Sequence, residues 1–246
     1  MTRAHEWIVN ARHLFVLTGA GVSAESGVPT FRDAQTGLWS RYDPLDLATP
    51  DAFARDPVLV WRWYAHRREI VSRAAPNAAH SALASWQAGH RMTLATQNVD
   101  GLHARAGSRE VIELHGNLFE NKWFRGCGHC SLDVARAPLA DAPPQCDACG
   151  AMLRPAVVWF GEALPEHAFS AAHEAAASCD VCLVVGTSGM VYPAAGLPTV
   201  AAEHGARVII VNPHRSDLDH DADIVLYQKA AECLPVLLSD TGVLGR

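Results

Sequence analysis

The 246-residue chain has no apolar run close to the roughly 18 residues that a membrane-spanning helix needs. Its first residues, MTRAHEWIVNARH, carry charge and lack the apolar core of about 7–15 residues that an export signal uses. There is no basic excess. The 20 Lys and Arg stand against 26 Asp and Glu, a formal net charge of −6, so neither nucleic acid nor a membrane surface is an expected partner. Charged residues are few, at 19%, against 49% hydrophobic ones, which excludes a disordered chain and allows a substantial core. Internal repeats and low-complexity tracts are absent. The expectation is a cytoplasmic globular protein of one large domain, or of a large domain with a small one.

Cysteine is scarce but patterned. Without an export signal, disulfides are not expected among the seven. Four of them form two C-x-x-C pairs, Cys127/Cys130 and Cys146/Cys149, with fifteen residues between the pairs. That spacing is a zinc signal. Four thiolates make a closed tetrahedral site that serves structure rather than chemistry. Residues 119–156 are otherwise rich in small residues and proline and show little periodicity, so a metal would replace the missing core. His129, inside the first pair, is an alternative ligand. Cys179, Cys182 and Cys233 read as ordinary buried thiols.

The rest of the chain alternates short apolar runs with helical segments, which predicts a parallel α/β sheet. Strands are predicted at 14–17, 91–96, 111–116, 157–162, 181–185, 207–211 and 224–226. Helices are predicted over 2–12, from about Asp51, over 57–74, 77–87, 167–178 and 193–204, and at the C-terminus. Thr49-Pro50-Asp51 suits a helix start, and residues 28–50 read as a long ordered loop or lid. Ligands of parallel sheets sit beyond the C-terminal ends of the strands. The polar clusters Thr18–Glu25, Gln97–Asp100, His115, Gly186–Ser188 and Asn212–His214 all fall there, which makes them candidates for one site.

The first cluster belongs to LFVLTGAGVSAESGVPTFRDAQTGLW, Leu14 to Trp39. An apolar strand breaks into Gly19-Ala20-Gly21, where glycines permit a tight turn and close approach of a ligand. Ser23 is a plausible N-cap of a short helix. A strand, a glycine turn and a helix start leave amide N–H groups for an anion such as a diphosphate. Gly19-x-Gly21 alone is a weak signal, equally compatible with an ordinary strand–turn–helix connection. Gln97-Asn98-Val99-Asp100 likewise admits a plain polar turn capped by Asn98. The G-x-G-x-x-G unit of dinucleotide-binding dehydrogenases is absent.

Taken together and in order, the glycine stretch, Gln97–Asp100, Leu114-His115-Gly116 and Gly186-Thr187-Ser188 resemble the signatures of the sirtuins, NAD-dependent protein-lysine deacylases. The resemblance covers the chain from about Leu14 to Pro235. It implies a Rossmann-like parallel sheet formed by residues 1–118 and 157–246, with a small zinc-binding insert over 119–156 holding one structural Zn2+. It implies NAD bound by Gly19, Ala20, Gly21, Ser23, Glu25, Thr30, Phe31, Arg32 and Trp39, and by Gln97, Asn98, Val99 and Asp100. Gly186, Thr187 and Ser188 would bind ribose and phosphates; Asn212, Pro213, His214 and Ala230 would lie on the adenosine side. Asn98 and Asp100 would surround the nicotinamide amide and the attacked ribose, and His115 would be the general base.

The implied reaction joins the acyl-lysine carbonyl oxygen to the ribose carbon that bears nicotinamide. His115 then deprotonates a ribose hydroxyl, and the products are lysine, nicotinamide and O-acyl-ADP-ribose. Acylated-lysine proteins would bind as extended peptides, clasped by Val158, Phe160, Gly161 and Glu162 on one side and by Val191 and Tyr192 on the other. A monomer is expected. Tyr64-Ala65-His66-Arg67 is similar to the Y-x-x-R of class III sirtuins, which remove succinyl and malonyl groups. Tyr64 and Arg67, three apart on a helix, share a face, and Ala48 would widen the acyl pocket. The plainer alternative is a solvated face of Arg62, Arg67, Arg68 and Arg73, with Trp61 and Tyr64 packing inward. Two rival functions are an NAD-dependent mono-ADP-ribosyltransferase and a non-catalytic NAD or zinc binding module.

Overall fold

The computed structural model describes residues 1–29, 42–43, 47–126 and 141–239. Strands β1 (Leu14–Thr18), β2 (Met92–Thr96) and β3 (Ile112–Glu113) share one sheet with β6 (Val181–Val185), β7 (Arg207–Val211) and β8 (Ile224–Leu226). The order is β3-β2-β1-β6-β7-β8 and every pairing is parallel. β1 and β6 are buried at every position, because helices cover both faces of the sheet, and that is why their sequences are apolar without alternation. Leu14 and Val16 pack with Ile8, Leu83 and Leu234 on one face. Phe15 and Leu17 pack with Ala172, Ala176 and Leu197 on the other.

The helices are α1 (Thr2–Val9), α2 (Pro50–Arg55), α3 (Pro57–Arg73), α4 (Ala78–Gly89), α5 (Leu102–Arg105), α6 (Glu166–Ser178), α7 (Leu197–Glu203) and α8 (Ala230–Leu237). Thr49 caps α2 by accepting the Ala52 N–H ahead of Pro50, as the sequence predicts. Among the described residues no helix is long and apolar enough to cross a membrane.

Two expectations change. Part of the stretch read as irregular is a ribbon: β4 (Gly116–Phe124) and β5 (Met152–Val157) pair antiparallel from Gly116↔Val157 to Phe124↔Met152. The strand expected over 157–162 ends at Val157, and Val158–Glu162 is a turn. Glu162 reverses onto Trp159: its N–H donates to the Trp159 carbonyl and its carboxylate accepts the Trp159 N–H, both at 2.9 Å. Gly161 allows this reversal with φ +86.

The ribbon packs on α2 and α3 through Phe53, Trp63, Tyr64, Leu118, Val157 and Trp159. Arg68 fastens α3 to it. Its Nε donates to the Leu118 carbonyl at 2.5 Å, and its Nη2 to the Glu120 carbonyl at 3.1 Å and Asn121 Oδ1 at 2.6 Å. These bonds fall where the ribbon's register shifts, between Asn117 and Asn121. The wholly solvated arginine face is therefore not what forms: Arg62 and Arg73 are exposed, Arg67 is half-buried and Arg68 is buried, while Trp61 and Tyr64 do pack inward as the plainer alternative had it.

Candidate active site

The site lies where the strand order reverses, between β1 and β6. Its floor is a backbone crossing. A methyl group added to Gly19 would meet the Gly186 carbonyl and Thr187 Cβ at 2.8 Å, and one on Gly21 would meet Gly186 Cα at 2.7 Å. Gly186, at φ +62, lies against the Gly21 backbone and the Val22 amide. These glycines are needed by each other. The turn also consumes donors expected to be open, since the N–H groups of Gly21, Val22 and Ser23 bond to the carbonyls of Gly186, Gly19 and Ala20. The short segments Ala20–Val22 and Ala24–Ser26 are 3-10 turns, and Ser23 makes no capping bond.

Ser23 is instead a junction, nearly fully buried. Its hydroxyl donates to Asp100 Oδ2 at 2.7 Å, and Asn98 Nδ2 donates to it at 3.2 Å. His80 Nε2 lies 3.4 Å away. His80 Nδ1 accepts the Asn77 N–H in the capping box that opens α4, so Nε2 carries the ring proton and faces Ser23. Asp100 Oδ1 accepts the Leu102 N–H at 2.9 Å, and Asn98 Nδ2 also reaches the Gly19 carbonyl at 3.1 Å. Asn98 and Asp100, expected beside a nicotinamide, thus also lock the β2 loop onto the glycine turn.

His115 follows β3, half-buried. Its Nδ1 lies 2.8 Å from the Gln97 carbonyl, which only accepts, so Nδ1 holds the proton and Nε2 the lone pair. Burial lowers its pKa, partly offset by the Gln97 carbonyl. A neutral imidazole with its basic nitrogen uncommitted is what a general base requires. Gln97 Nε2 donates to Thr187 Oγ1 at 2.9 Å and Asn212 Nδ2 to the Thr187 carbonyl at 3.1 Å, so three strand ends meet at Thr187. Ala20 is exposed, Val99 and Ser188 are half-buried, Ala230 is buried, and Pro213 and His214 are exposed. Glu25 points at α8, accepting the Ala231 N–H at 2.8 Å. Thr30, Phe31, Arg32 and Trp39 lie outside the described residues.

Tyr64 and Arg67 lie on α3 beside the turn after β5. Tyr64 is 4% exposed, and Ala48 is buried with its carbonyl on the Phe160 N–H at 2.9 Å. Burial lowers the Arg67 guanidinium's pKa, with Tyr64 opposing. The expected peptide clasp is narrower than an open strand edge. The N–H groups of Val158, Trp159, Phe160 and Glu162 all donate within the protein, and the Trp159 carbonyl is itself taken by the Glu162 N–H. Val191 is half-buried and Tyr192 is 73% exposed across from them in sequence.

Of the four paired cysteines, Cys127 and Cys130 lie outside the described residues. Cys146 and Cys149 sit on a tight turn in which the Gly150 N–H bonds back to the Cys146 carbonyl at 2.7 Å. Cys146 is buried and Cys149 exposed, and two thiols at C-x-x-C spacing on a tight turn fit half of a zinc site by residue type. Among the described residues no group of three or more His, Cys, Asp or Glu could hold a metal. Cys179 and Cys233 are buried, and burial pushes both thiols up to about 11.

Sequence reasoning left out His80, His103 and Arg154, and took Trp159 only as part of the Val158–Glu162 peptide clasp. For His80 the signal was the Asn77-x-x-His80 capping spacing. His103 had none, since thirteen histidines offer no selection by type. It is 2% exposed, with Nε2 2.9 Å from Thr18 Oγ1 and its ring centroid 4.8 Å from that of His80. Burial, with His80 beside it, pushes its pKa down to about 3. The unfolded chain binds a proton that the fold refuses, so stability should fall as pH drops from the ordinary histidine value toward about 3, by up to a few kcal/mol. His103→Gln removes that titration. Urea midpoints at a series of pH values should show a flatter acid decline in the variant; parallel curves would show that His103 is not the acid-sensitive group.

The Sir2 family model matches residues 19–193. A Ralstonia nicotianae protein called NAD-dependent protein deacylase is 62% identical over 237 residues, covering 96% of this chain and 95% of its own. Among solved structures, a Sir2 homolog–NAD complex superposes with a TM-score of 0.89 at 46% identity, covering 97% of this chain and 92% of its own. A Sir2 protein bound to acetylated peptide reaches 0.85 at 31% identity, with 97% of each chain covered. With the glycine crossing, the Asn98–Asp100 loop and His115 all inside the matched span, the chain belongs to the Sir2 family.

Proposed function

We propose that this chain is an NAD-dependent protein-lysine deacylase that removes succinyl and malonyl groups, and acetyl groups as well, from lysine presented in extended peptides. The observation that carries the acidic-acyl reading is a phenol and a guanidinium on one helix face, Tyr64 bonded to Trp159 and Arg67 over the Trp63 ring. Arg offers two N–H groups to a terminal carboxylate and Tyr a hydroxyl. An acetyl group offers neither partner, yet fits a pocket that admits something larger.

NAD would supply an electrophilic ribose carbon with a good leaving group. The residues that fit it are Gly19–Ser23, Gln97–Asp100, Gly186–Ser188 and Asn212, which converge on one end of the sheet. Their work is to orient and to exclude water. His115 Nε2 is placed to take a proton from a ribose hydroxyl. Cys127, Cys130, Cys146 and Cys149 would hold one zinc, within a module over 119–156 separate from the nucleotide-binding residues 1–118 and 157–246. Its thiolate set supplies a structural link and no open coordination position.

Mass spectrometry on matched succinyl-, malonyl- and acetyl-lysine peptides, with and without NAD, tests this reading. In Arg67→Met the succinyl-to-acetyl ratio of kcat/KM should fall roughly 10- to 100-fold, the worth of hydrogen bonds to a charged group. Acetyl turnover without succinyl turnover in the parent would remove the acidic-acyl assignment and leave a deacetylase. No NAD-dependent deacylation in folded protein would remove both.

A further inference from the structure

Trp159 is 1% exposed and is held from three sides. Its main-chain N–H donates to Glu162 Oε2 at 2.9 Å, and the Arg154 guanidinium lies over its ring, 3.1 Å from the centroid. Its indole Nε1–H donates to Tyr64 Oη at 2.9 Å. Arg154 is itself pinned. It reaches the two Glu162 carboxylate oxygens at 2.5 and 3.0 Å, the Val157 carbonyl at 2.6 Å and the Pro155 carbonyl at 3.2 Å. Burial alone would raise the Glu162 carboxyl, but Arg154 and the Trp159 N–H hold it below its usual range. A buried ion pair of this kind is weak as a source of stability. Here it fixes the plane and direction of an indole.

That direction decides what Tyr64 can do. An indole N–H only donates, so Tyr64 Oη is the acceptor in this bond, and its single proton must point elsewhere. Among the described residues no group accepts that proton. Burial pushes the Tyr64 pKa up to about 12, so the proton stays on the oxygen at neutral pH. A buried O–H left without an acceptor is costly, and a ligand carrying an acceptor would relieve that cost.

We propose that Trp159 is a positioning residue for acyl selectivity: by occupying Tyr64 Oη as a donor, it commits the Tyr64 hydroxyl proton to a carboxylate at the far end of the acyl group. This rests on the acidic-acyl reading above. Arg67 supplies charge, while the Arg154–Glu162–Trp159 relay supplies direction.

The test is a double-mutant cycle of Trp159→Phe and Tyr64→Phe, with kcat and KM measured for succinyl- and acetyl-lysine peptides. Phe keeps an aromatic ring under Arg154 and removes the indole N–H together with part of the ring; that lost packing is common to both acyl groups, so the succinyl-to-acetyl ratio isolates the N–H. The succinyl-to-acetyl ratio of kcat/KM should fall about tenfold in Trp159→Phe, through the KM for the succinyl peptide, and should fall no further when Tyr64 is already Phe. A second readout uses the parent protein without NAD. The Trp159 indole N–H resonance should shift on adding succinyl-lysine peptide and stay in place with acetyl-lysine peptide. Equal losses for both acyl groups, or the same fall in the Tyr64→Phe background, would overturn the inference. So would an indole resonance indifferent to the succinyl peptide. Succinyl turnover that needs Tyr64 and Arg67 but not Trp159 sinks this inference alone; a parent without succinyl turnover sinks it together with the acidic-acyl reading.

Discussion

His115→Ala should lose about 10²- to 10⁴-fold in kcat for every acyl peptide, with the melting temperature little changed, because a half-buried side chain bonded to one carbonyl contributes more to the reaction than to the fold. The pH profile is the sharper reading. The neutral imidazole is the working form, and its pKa lies below the ordinary histidine value because burial disfavours the cation. In the parent, kcat/KM should therefore be flat through neutrality and decline only as pH falls through that lowered value. The residual rate of the variant should lack this limb. If the variant retains the parent's acid limb, the limb belongs to another group, and His80, whose ring lies 3.4 Å from the Ser23 hydroxyl and feels the Asp100 charge, would be examined first.

Gly186→Ala should be among the most damaging single-methyl changes at the described glycines, with Gly116→Ala, whose methyl would meet the Ala156 carbonyl at 2.0 Å, and it should act on stability before activity. Two costs add. The residue sits at φ +62, where a side chain costs about 1–2 kcal/mol. The new methyl would also press into the Val22 amide and the Gly21 backbone, and overpacking against atoms that cannot move aside costs about 1–3 kcal/mol. A loss of roughly 2–5 kcal/mol is a large part of a typical domain's stability. Gly27→Ala separates the terms: φ is +77 there, but nothing lies within 4 Å of the added atom. Chemical denaturation of both variants should place Gly27→Ala near the strain cost alone and Gly186→Ala well beyond it. Equal midpoints would mean that the crossing is looser than its geometry indicates.

Much of the fold was legible from residue pattern. LFVL of β1, VCLVV of β6 and VIIV of β7 are apolar without alternation because helices cover both sides of their sheet, and Thr49-Pro50 marks a helix start by chemistry that does not depend on tertiary context. The ribbon was not legible. β4 reads GNLFENKWF, with an irregular burial pattern across a register shift, so no period of two survives in it. Val157–Glu162 looked like a strand for the opposite reason, an apolar run that a reversed glutamate turns back on itself. In the site, residue types pointed to loops that the fold brings to one end of the sheet, but not to their partners. Ser23 reads as a helix cap in one dimension; its actual contacts come from residues more than seventy positions away, at Asn98 and Asp100. Gly19 and Gly21 read as room for a ligand, and much of that room is taken by Gly186 and Thr187.

The order β3-β2-β1-β6-β7-β8 bears on how the molecule is made. β1 leaves the ribosome early and pairs on one side with β2, but its other neighbour is β6, so that Leu14 waits for Val181. At about 5–20 residues per second of translation, that interval is on the order of ten seconds. Throughout it, a wholly apolar strand keeps one bare edge, and the glycine turn that follows has nothing to cross against. Birth of the nucleotide pocket is thus an event of late synthesis, and the N-terminal half of the nascent chain carries the pocket's signature long before it can fold one.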